Sequence, residues 1–126
     1  MAKLKFTKET YLKWYADMLL WRKFEDKTGA LYIQQKIRGF LHLYNGQEAI
    51  LAGSISGIDP SKDKMITAYR DHVQPIAMGV SPNNIMAELF GKATGTSGGK
   101  GGSMHMFSKE FNFYGGHGIV GAQVPL

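Results

Sequence analysis

The sequence predicts an α/β fold in which amino-terminal helices lead into a parallel sheet, and three features carry that expectation. Aromatic and apolar residues recur at helical spacing from Tyr11 to Leu19. A short apolar run, Met65 to Tyr69, follows a charged turn. A Ser81-Pro82 pair then opens a further helix. With 126 residues, 44% of them hydrophobic, the chain has enough apolar surface for one globular unit or a part of one.

Taking the elements in order, Thr7 is placed to cap a helix with Glu9 in its first turn. Tyr11, Trp14, Tyr15, Met18 and Leu19 form an aromatic stripe that reads as a packing face, and the helix is expected to run to about Lys27 and end near Gly29. The charges from Lys3 to Lys27 alternate with Glu9, Asp17, Glu25 and Asp26, as on a solvated helix face. A second helix is expected over 46–56, where Ala49, Ala52 and Gly53 allow close packing, before Gly57 and Asp59-Pro60 stop it. Met65–Tyr69 suits a buried parallel strand, from whose carboxyl end Arg70, Asp71 and His72 emerge, where open α/β sheets bind ligands. Ser81 caps the next helix, Pro82 takes its first position and Gly91 closes it. From Gly95 to Gly121 glycines dominate, but Met104, His105, Met106 and the aromatics Phe107, Phe111, Phe113 and Tyr114 are not those of a flexible linker. This segment reads as an ordered loop whose backbone comes close to something.

Composition removes several classes of function. The absence of cysteine excludes a disulfide framework, a thiolate metal site and a thiol nucleophile. The net charge of +5 is spread along the chain, so it reads as a solubility device and predicts no nucleic-acid partner. No signal-peptide-like run opens the sequence and no apolar stretch is long enough to span a bilayer, so no membrane association and a cytoplasmic location are expected.

The motifs are weak one at a time. Gly116-His117-Gly118-Ile119-Val120-Gly121 fits G-x-G-x-x-G, yet Asn112 to Gly115 before it are not read as the strand that a dinucleotide fold requires, and the sequence ends at Leu126 before its acidic position could occur. Gly99-Lys100 lacks the spacing of a P-loop. His42, His72, His105 and His117 have no zinc-site spacing, and no metal site is predicted from them. A Ser-His-Asp set cannot be read from sequence, because it is a matter of geometry.

Four strings taken in order say more. They are Ile37-Arg38-Gly39-Phe40-Leu41-His42-Leu43-Tyr44-Asn45-Gly46-Gln47-Glu48-Ala49, Thr67-Ala68-Tyr69-Arg70-Asp71-His72, Gly99-Lys100-Gly101-Gly102-Ser103-Met104-His105-Met106, and Tyr114-Gly115-Gly116-His117-Gly118-Ile119-Val120-Gly121 continuing to Leu126. Together the chain resembles the amino-terminal part of the alpha subunits of thiamine-diphosphate-dependent 2-oxo acid dehydrogenases, and among them those of pyruvate dehydrogenases. Gln47 and the Gly102–His105 string are more similar to the pyruvate than to the branched-chain enzymes; acetoin dehydrogenase is the nearest competitor.

The resemblance implies a thiamine-diphosphate-binding fold, a parallel sheet flanked by helices, of which residues 1–126 would form the amino-terminal helices and the first part. It implies that Tyr69 and Arg70 bind the cofactor diphosphate, that the backbone at Gly118 and Val120 holds the aminopyrimidine, that Ser108 approaches the cofactor, and that His42 faces the thiazolium and the 2-oxo acid. The implied magnesium ligands, a Gly-Asp-Gly segment and a later asparagine, fall beyond the equivalent of Leu126, so this chain alone is expected to be a fragment without turnover. A beta subunit in an α2β2 assembly, a lipoyl acyltransferase and pyruvate are the implied partners. A noncatalytic interaction domain on the same fold is the alternative of another class.

Overall fold

The computed structural model describes residues 6–121 and Val124; the first five residues, with Lys3 and Lys5, and Ala122, Gln123, Pro125 and Leu126 at the end of the fourth string lie outside the described residues. The order is α1 (Lys8–Ile33), α2 (Glu48–Ile55), β1 (Met65–Ala68), α3 (Val73–Met78), α4 (Pro82–Leu89), a 3-10 turn (Gly102–Met104) and β2 (Phe113–His117). The strands pair in parallel, so the α/β expectation holds. No helix among the described residues is long and apolar enough to cross a membrane.

Thr7 caps α1 as expected, its Oγ1 accepting the Thr10 N–H at 3.3 Å. The helix passes the expected stop at Gly29 and ends four residues later, at Ile33, since Gln35 turns left-handed (φ 58°), Gln35 N–H reaches the Tyr32 carbonyl (2.8 Å) and Lys36 N–H the Leu31 carbonyl (3.1 Å). Gly29 serves packing instead: a Cβ there would stand 3.2 Å from Leu43 Cδ1. The expected packing face is also displaced. Tyr11, Leu12, Tyr15, Leu19 and Leu20 are exposed, whereas Trp21, Phe24, Glu25, Thr28 and Leu31 are buried and Trp14 and Met18 half-buried against the core. Periodicity marks an apolar stripe, but α2 and α3 decide which stripe is covered. Trp14 Nε1–H reaches Ser56 Oγ at 2.6 Å and ties α1 to the end of α2.

β1 is parallel as expected but only half-buried, with Ile66 46% exposed, because among the described residues it has β2 on one side only. β2 lies within the segment read as loop. Met65 faces Phe113 and Thr67 faces Gly116, so β2 holds one extra residue, a bulge at which Gly115 takes φ 100°. α3, also unforeseen, has Pro75 in its first turn, where a missing N–H costs no helical bond. α4 follows the sequence closely: Ser81 Oγ accepts the Asn83 N–H, Pro82 is the first residue, and Gly91 turns left-handed just past the end.

The object that the glycine-rich backbone approaches is Glu88. Its fully buried carboxylate accepts N–H groups from Ser97 (2.7 Å) and Gly99 (2.9 Å) on Oε2, and from Gly101 (2.7 Å) and Gly102 (3.1 Å) on Oε1. Gly99 is left-handed (φ 75°), and a side chain there would run into the Gly91 backbone. Burial alone would raise the Glu88 carboxyl, but the four donors outweigh it and hold the group below its ordinary value. Asp71 behaves oppositely. It is fully buried under Gly116, neither oxygen has a hydrogen-bond partner, and burial pushes its carboxyl up to about 7 against the opposing pull of His72. Nearby N–H groups of Asp71 and Met106 pull the same way as His72 without reaching hydrogen-bond geometry.

These two carboxylates make opposite predictions. Glu88→Gln sets an amide NH2 against backbone donors and should lower the unfolding free energy by about 2–3 kcal/mol, read by urea denaturation, with faster amide exchange at Ser97, Gly99, Gly101 and Gly102. The stability linked to Glu88 is present above the ordinary value of 4.5 and is lost as pH falls through the lower folded value. The stability linked to Asp71 is complete below 3.8 and is lost as pH rises through about 7. The advantage of Asp71→Asn over the unsubstituted chain should therefore grow between about pH 4 and about pH 8, by on the order of 4 kcal/mol, in denaturation curves taken across that range; a difference independent of pH would contradict it.

Candidate active site

Parallel pairing brings the carboxyl ends of β1 and β2 together: Ala68 faces His117, so Tyr69 and Arg70 leave one strand beside Gly118 to Val120 leaving the other. There a cleft of ≈ 320 Å³ is lined by Tyr44, Gln47, Ala68, Tyr69, Arg70, Gln74 and Val120. It holds one cation and no carboxylate, together with two phenols and two carboxamides. Arg70 is held from several sides. Its Nη1 donates to the Leu43 carbonyl at 2.5 Å, its carbonyl accepts from Gln74 Nε2 at 2.8 Å, and its guanidinium carbon lies 5.6 Å from the Tyr69 ring centre. Burial, and secondarily the Glu48 carboxylate, push the Tyr44 phenol above its ordinary value, so it stays a hydrogen-bond donor. Glu48 itself is turned aside: it grips the Arg22 guanidinium at 2.6 and 2.9 Å and accepts the Gly46 N–H.

Of the residues singled out from sequence, Tyr69, Arg70 and Val120 line this cleft. The His42 ring meets the Tyr69 ring edge-on, centroids 4.7 Å apart at 67°. Gly118 follows β2, where an added Cβ would lie 3.3 Å from the His105 ring and 3.7 Å from Met104 Sδ. Ser108 is not brought to the cleft. Its N–H and C=O bridge Phe113, at the opposite end of β2 and across from Met65. Tyr44 and Gln74 were not picked out by sequence reasoning, and Gln47 was picked out only as a mark of resemblance; their amide and hydroxyl groups carry no local pattern that marks a pocket.

Buried polar atoms without a hydrogen-bond partner gather at the same end of the sheet. They belong to Asp71, Gln74 (Oε1) and His117 (Nε2), with Thr96 Oγ1 elsewhere. Such atoms are uncommon in protein interiors, and three of the four residues that carry them lie at or just beyond the carboxyl ends of the two strands.

Beneath the cleft runs a second unforeseen arrangement. Glu25, expected on the solvated face of α1, is 1% exposed; it belongs to the stripe of Trp21, Phe24, Thr28 and Leu31, and its Oε2 lies 2.8 Å from His72 Nδ1. His72 Nε2 lies 2.7 Å from Ser103 Oγ. The distances are those of an acid–imidazole–hydroxyl triad, but Ser103 is 5% exposed and His72 fully buried, so no substrate carbonyl reaches the hydroxyl. A glutamate at an apolar register of a helix is the sequence signal that would have found it. Among the described residues no group of three or more His, Asp or Glu side chains is arranged to hold a metal ion.

The chain is 52% identical over its full length to the pyruvate dehydrogenase E1 component subunit alpha of Rickettsia bellii, covering 38% of that protein. It is 57% identical to the corresponding subunit of Rhizobium meliloti over 96% of this chain and 34% of the relative, and 53% identical to that of Zymomonas mobilis over 94% and 34%. The chain thus spans little more than a third of the length of these relatives and corresponds to an amino-terminal part of them. A family described as "Dehydrogenase E1 component" matches residues 16–126, and with the match extending over nearly all of the sequence, the chain belongs to the dehydrogenase E1 component family.

Proposed function

We propose that the protein is the amino-terminal part of the alpha subunit of a pyruvate dehydrogenase decarboxylating component, and that the strand-end cleft is its share of a thiamine diphosphate site. The observation that carries this reading is the placement of Arg70, Tyr69 and Val120 around a cleft free of carboxylates at the paired strand ends, in a chain over half identical to such subunits. The residues fit the group. A guanidinium fixed by Leu43 and a phenol beside it suit a diphosphate, since charge-assisted bonds to phosphate oxygens are strong and directional. The partnerless Gln74 Oε1 in the cleft wall suits a donor group of a ligand. The backbone at Gly118 and Val120 suits the flat face of an aminopyrimidine, and the exposed Ile119 and Val120 leave that wall accessible.

When bound, thiamine diphosphate supplies the carbon nucleophile for a 2-oxo acid and the electron sink for loss of carbon dioxide. The chain supplies position and field. Arg70 and Tyr69 anchor the anionic end, and His42, edge-on to Tyr69, stands ready to hold or deliver a proton beside the reacting carbonyl. Ser108 does not line the cleft, and its approach to the cofactor rests on resemblance alone. Magnesium, a beta subunit completing an α2β2 assembly and a lipoyl acyltransferase receiving the acyl group belong to the same proposal, as do residues 1–126 forming the first part of the cofactor-binding domain.

The test uses the complete alpha subunit assembled with its beta partner. Arg70→Ala should weaken thiamine diphosphate binding by about ten- to a hundredfold in calorimetric titration, the loss of a charge-assisted donor worth about 1.5–3 kcal/mol. His42→Ala should lower kcat on pyruvate while leaving cofactor affinity within about threefold, because no phosphate contact is lost. Equal losses of affinity in both variants, recovered together at saturating cofactor, would remove the separate role of His42. An assembly that neither binds thiamine diphosphate nor decarboxylates pyruvate would overturn the reading as a whole.

A further inference from the structure

Residues 40–44 belong to no helix or strand, yet His42, Leu43 and Tyr44 are each pinned by a polar group from a different part of the chain. His42 N–H donates to Ser103 Oγ at 3.2 Å, the Leu43 carbonyl accepts from Arg70 Nη1 at 2.5 Å, and Tyr44 N–H donates to Glu25 Oε1 at 3.1 Å. The first and last of these anchors are themselves joined through His72, whose Nδ1 is 2.8 Å from Glu25 Oε2 and whose Nε2 is 2.7 Å from Ser103 Oγ. Glu25, His72 and Ser103 are all buried.

Hydrogen counting gives the string a direction. A carboxylate only accepts, so Glu25 takes the Tyr44 N–H on one oxygen and the His72 Nδ1–H on the other. With His72 neutral and its proton on Nδ1, Ser103 Oγ receives the His42 N–H and gives its hydrogen to His72 Nε2; with His72 protonated, Nε2–H donates to Ser103 Oγ instead, and in either form the hydroxyl oxygen can accept the His42 N–H. One tautomer of His72 therefore satisfies every donor and acceptor in the string. The hydroxyl at its end does what a neighbouring strand would do for a regular segment: it fixes the backbone of His42.

We propose that Ser103, oriented by His72 and Glu25, is a positioning residue for His42, setting the backbone from which the His42 imidazole reaches the Tyr69 side of the cleft. The proposal rests on the functional reading above in assigning chemistry to His42, whereas the hydrogen-bonded string stands on geometry alone. Ser103 is too buried to touch a substrate, so its effect passes through His42. A core serine with only a packing role would alter stability without separating turnover from cofactor binding.

The experiment compares S103A and S103T in the complete alpha subunit assembled with its beta partner. Peptide-level hydrogen exchange over residues 42–44 is followed alongside steady-state kinetics and thiamine diphosphate titration. S103A should speed exchange of the His42 amide by about tenfold, the worth of one buried hydrogen bond, and lower kcat by a similar factor with cofactor Kd within about threefold. S103T, which keeps the hydroxyl, should restore slow exchange and most of kcat. Exchange in S103A equal to the unsubstituted protein overturns the hydrogen bond. Faster exchange with unchanged kcat overturns the positioning role, and S103T matching S103A in both measurements overturns the part given to the hydroxyl. An unsubstituted assembly inert towards pyruvate overturns the functional reading instead, while the exchange comparison still decides the string.

Discussion

Irregular backbone cannot satisfy its own N–H groups, and burying them without partners costs more than the packing around them returns. In this protein the constraint is met by carboxylates carried inward on helices. Glu25 sits on a helix long enough to reach past Gly29, and from there it holds Tyr44 and His72 together. Remove that acceptor and three otherwise separate pieces lose their common reference: the segment bearing His42, the chain leaving β1, and the turn bearing Ser103. Glu88 meets the same constraint for the loop after α4, collecting four N–H groups on two oxygens. Both acids are on helices and both organise parts that have no ladder of their own.

This arrangement also shapes the field in the cleft. Glu25 and Glu88 face inward to N–H donors, and Glu48 faces Arg22. Among the described residues Arg70 forms no ion pair; its one side-chain hydrogen bond goes to a neutral carbonyl. Its charge is therefore left for whatever enters at the strand ends. The cation without an ion pair, rather than the overall excess of basic residues, is the electrostatic feature on which the proposed function draws. Most of the lysines lie exposed on the surface, where salt screens them.

Local chemistry made much of this legible. Thr7, Ser81-Pro82 and Gly91 each act through bonds within a few residues, and the helix boundaries that they set were readable. The position of Arg70 just past a strand was legible because a short apolar run has a carboxyl end whatever it pairs with, although β1 itself stops one residue early, at Ala68. What escaped depends on distant partners. Gly29 looked like a stop because Leu43, fourteen positions on, is needed to see it as a contact. Glu25 looked solvated because its partners are His72 and Tyr44. β2 was hidden because Gly115 and Gly116 have no strand propensity; the bulge at Gly115 and the fit of Gly116 over Asp71 explain those glycines only once β1 is beside them. Ser108 came from resemblance alone, and its backbone is spent on the bridge to Phe113.

The parallel pairing of β1 with β2 has a consequence for the order in which the chain is made. A ribosome releases β1 well before β2, with α3, α4 and the Glu88-bound loop in between. During that interval β1, with Ile66 on it, is an apolar strand without a neighbour. Helix α1 and the Ser81-capped α4 close on near contacts, whereas Glu25 waits 47 residues for His72 and His42 waits 61 for Ser103. Among the described elements, β1 is therefore made before the strand that pairs with it, and the cleft at their carboxyl ends takes shape only once β2 has emerged.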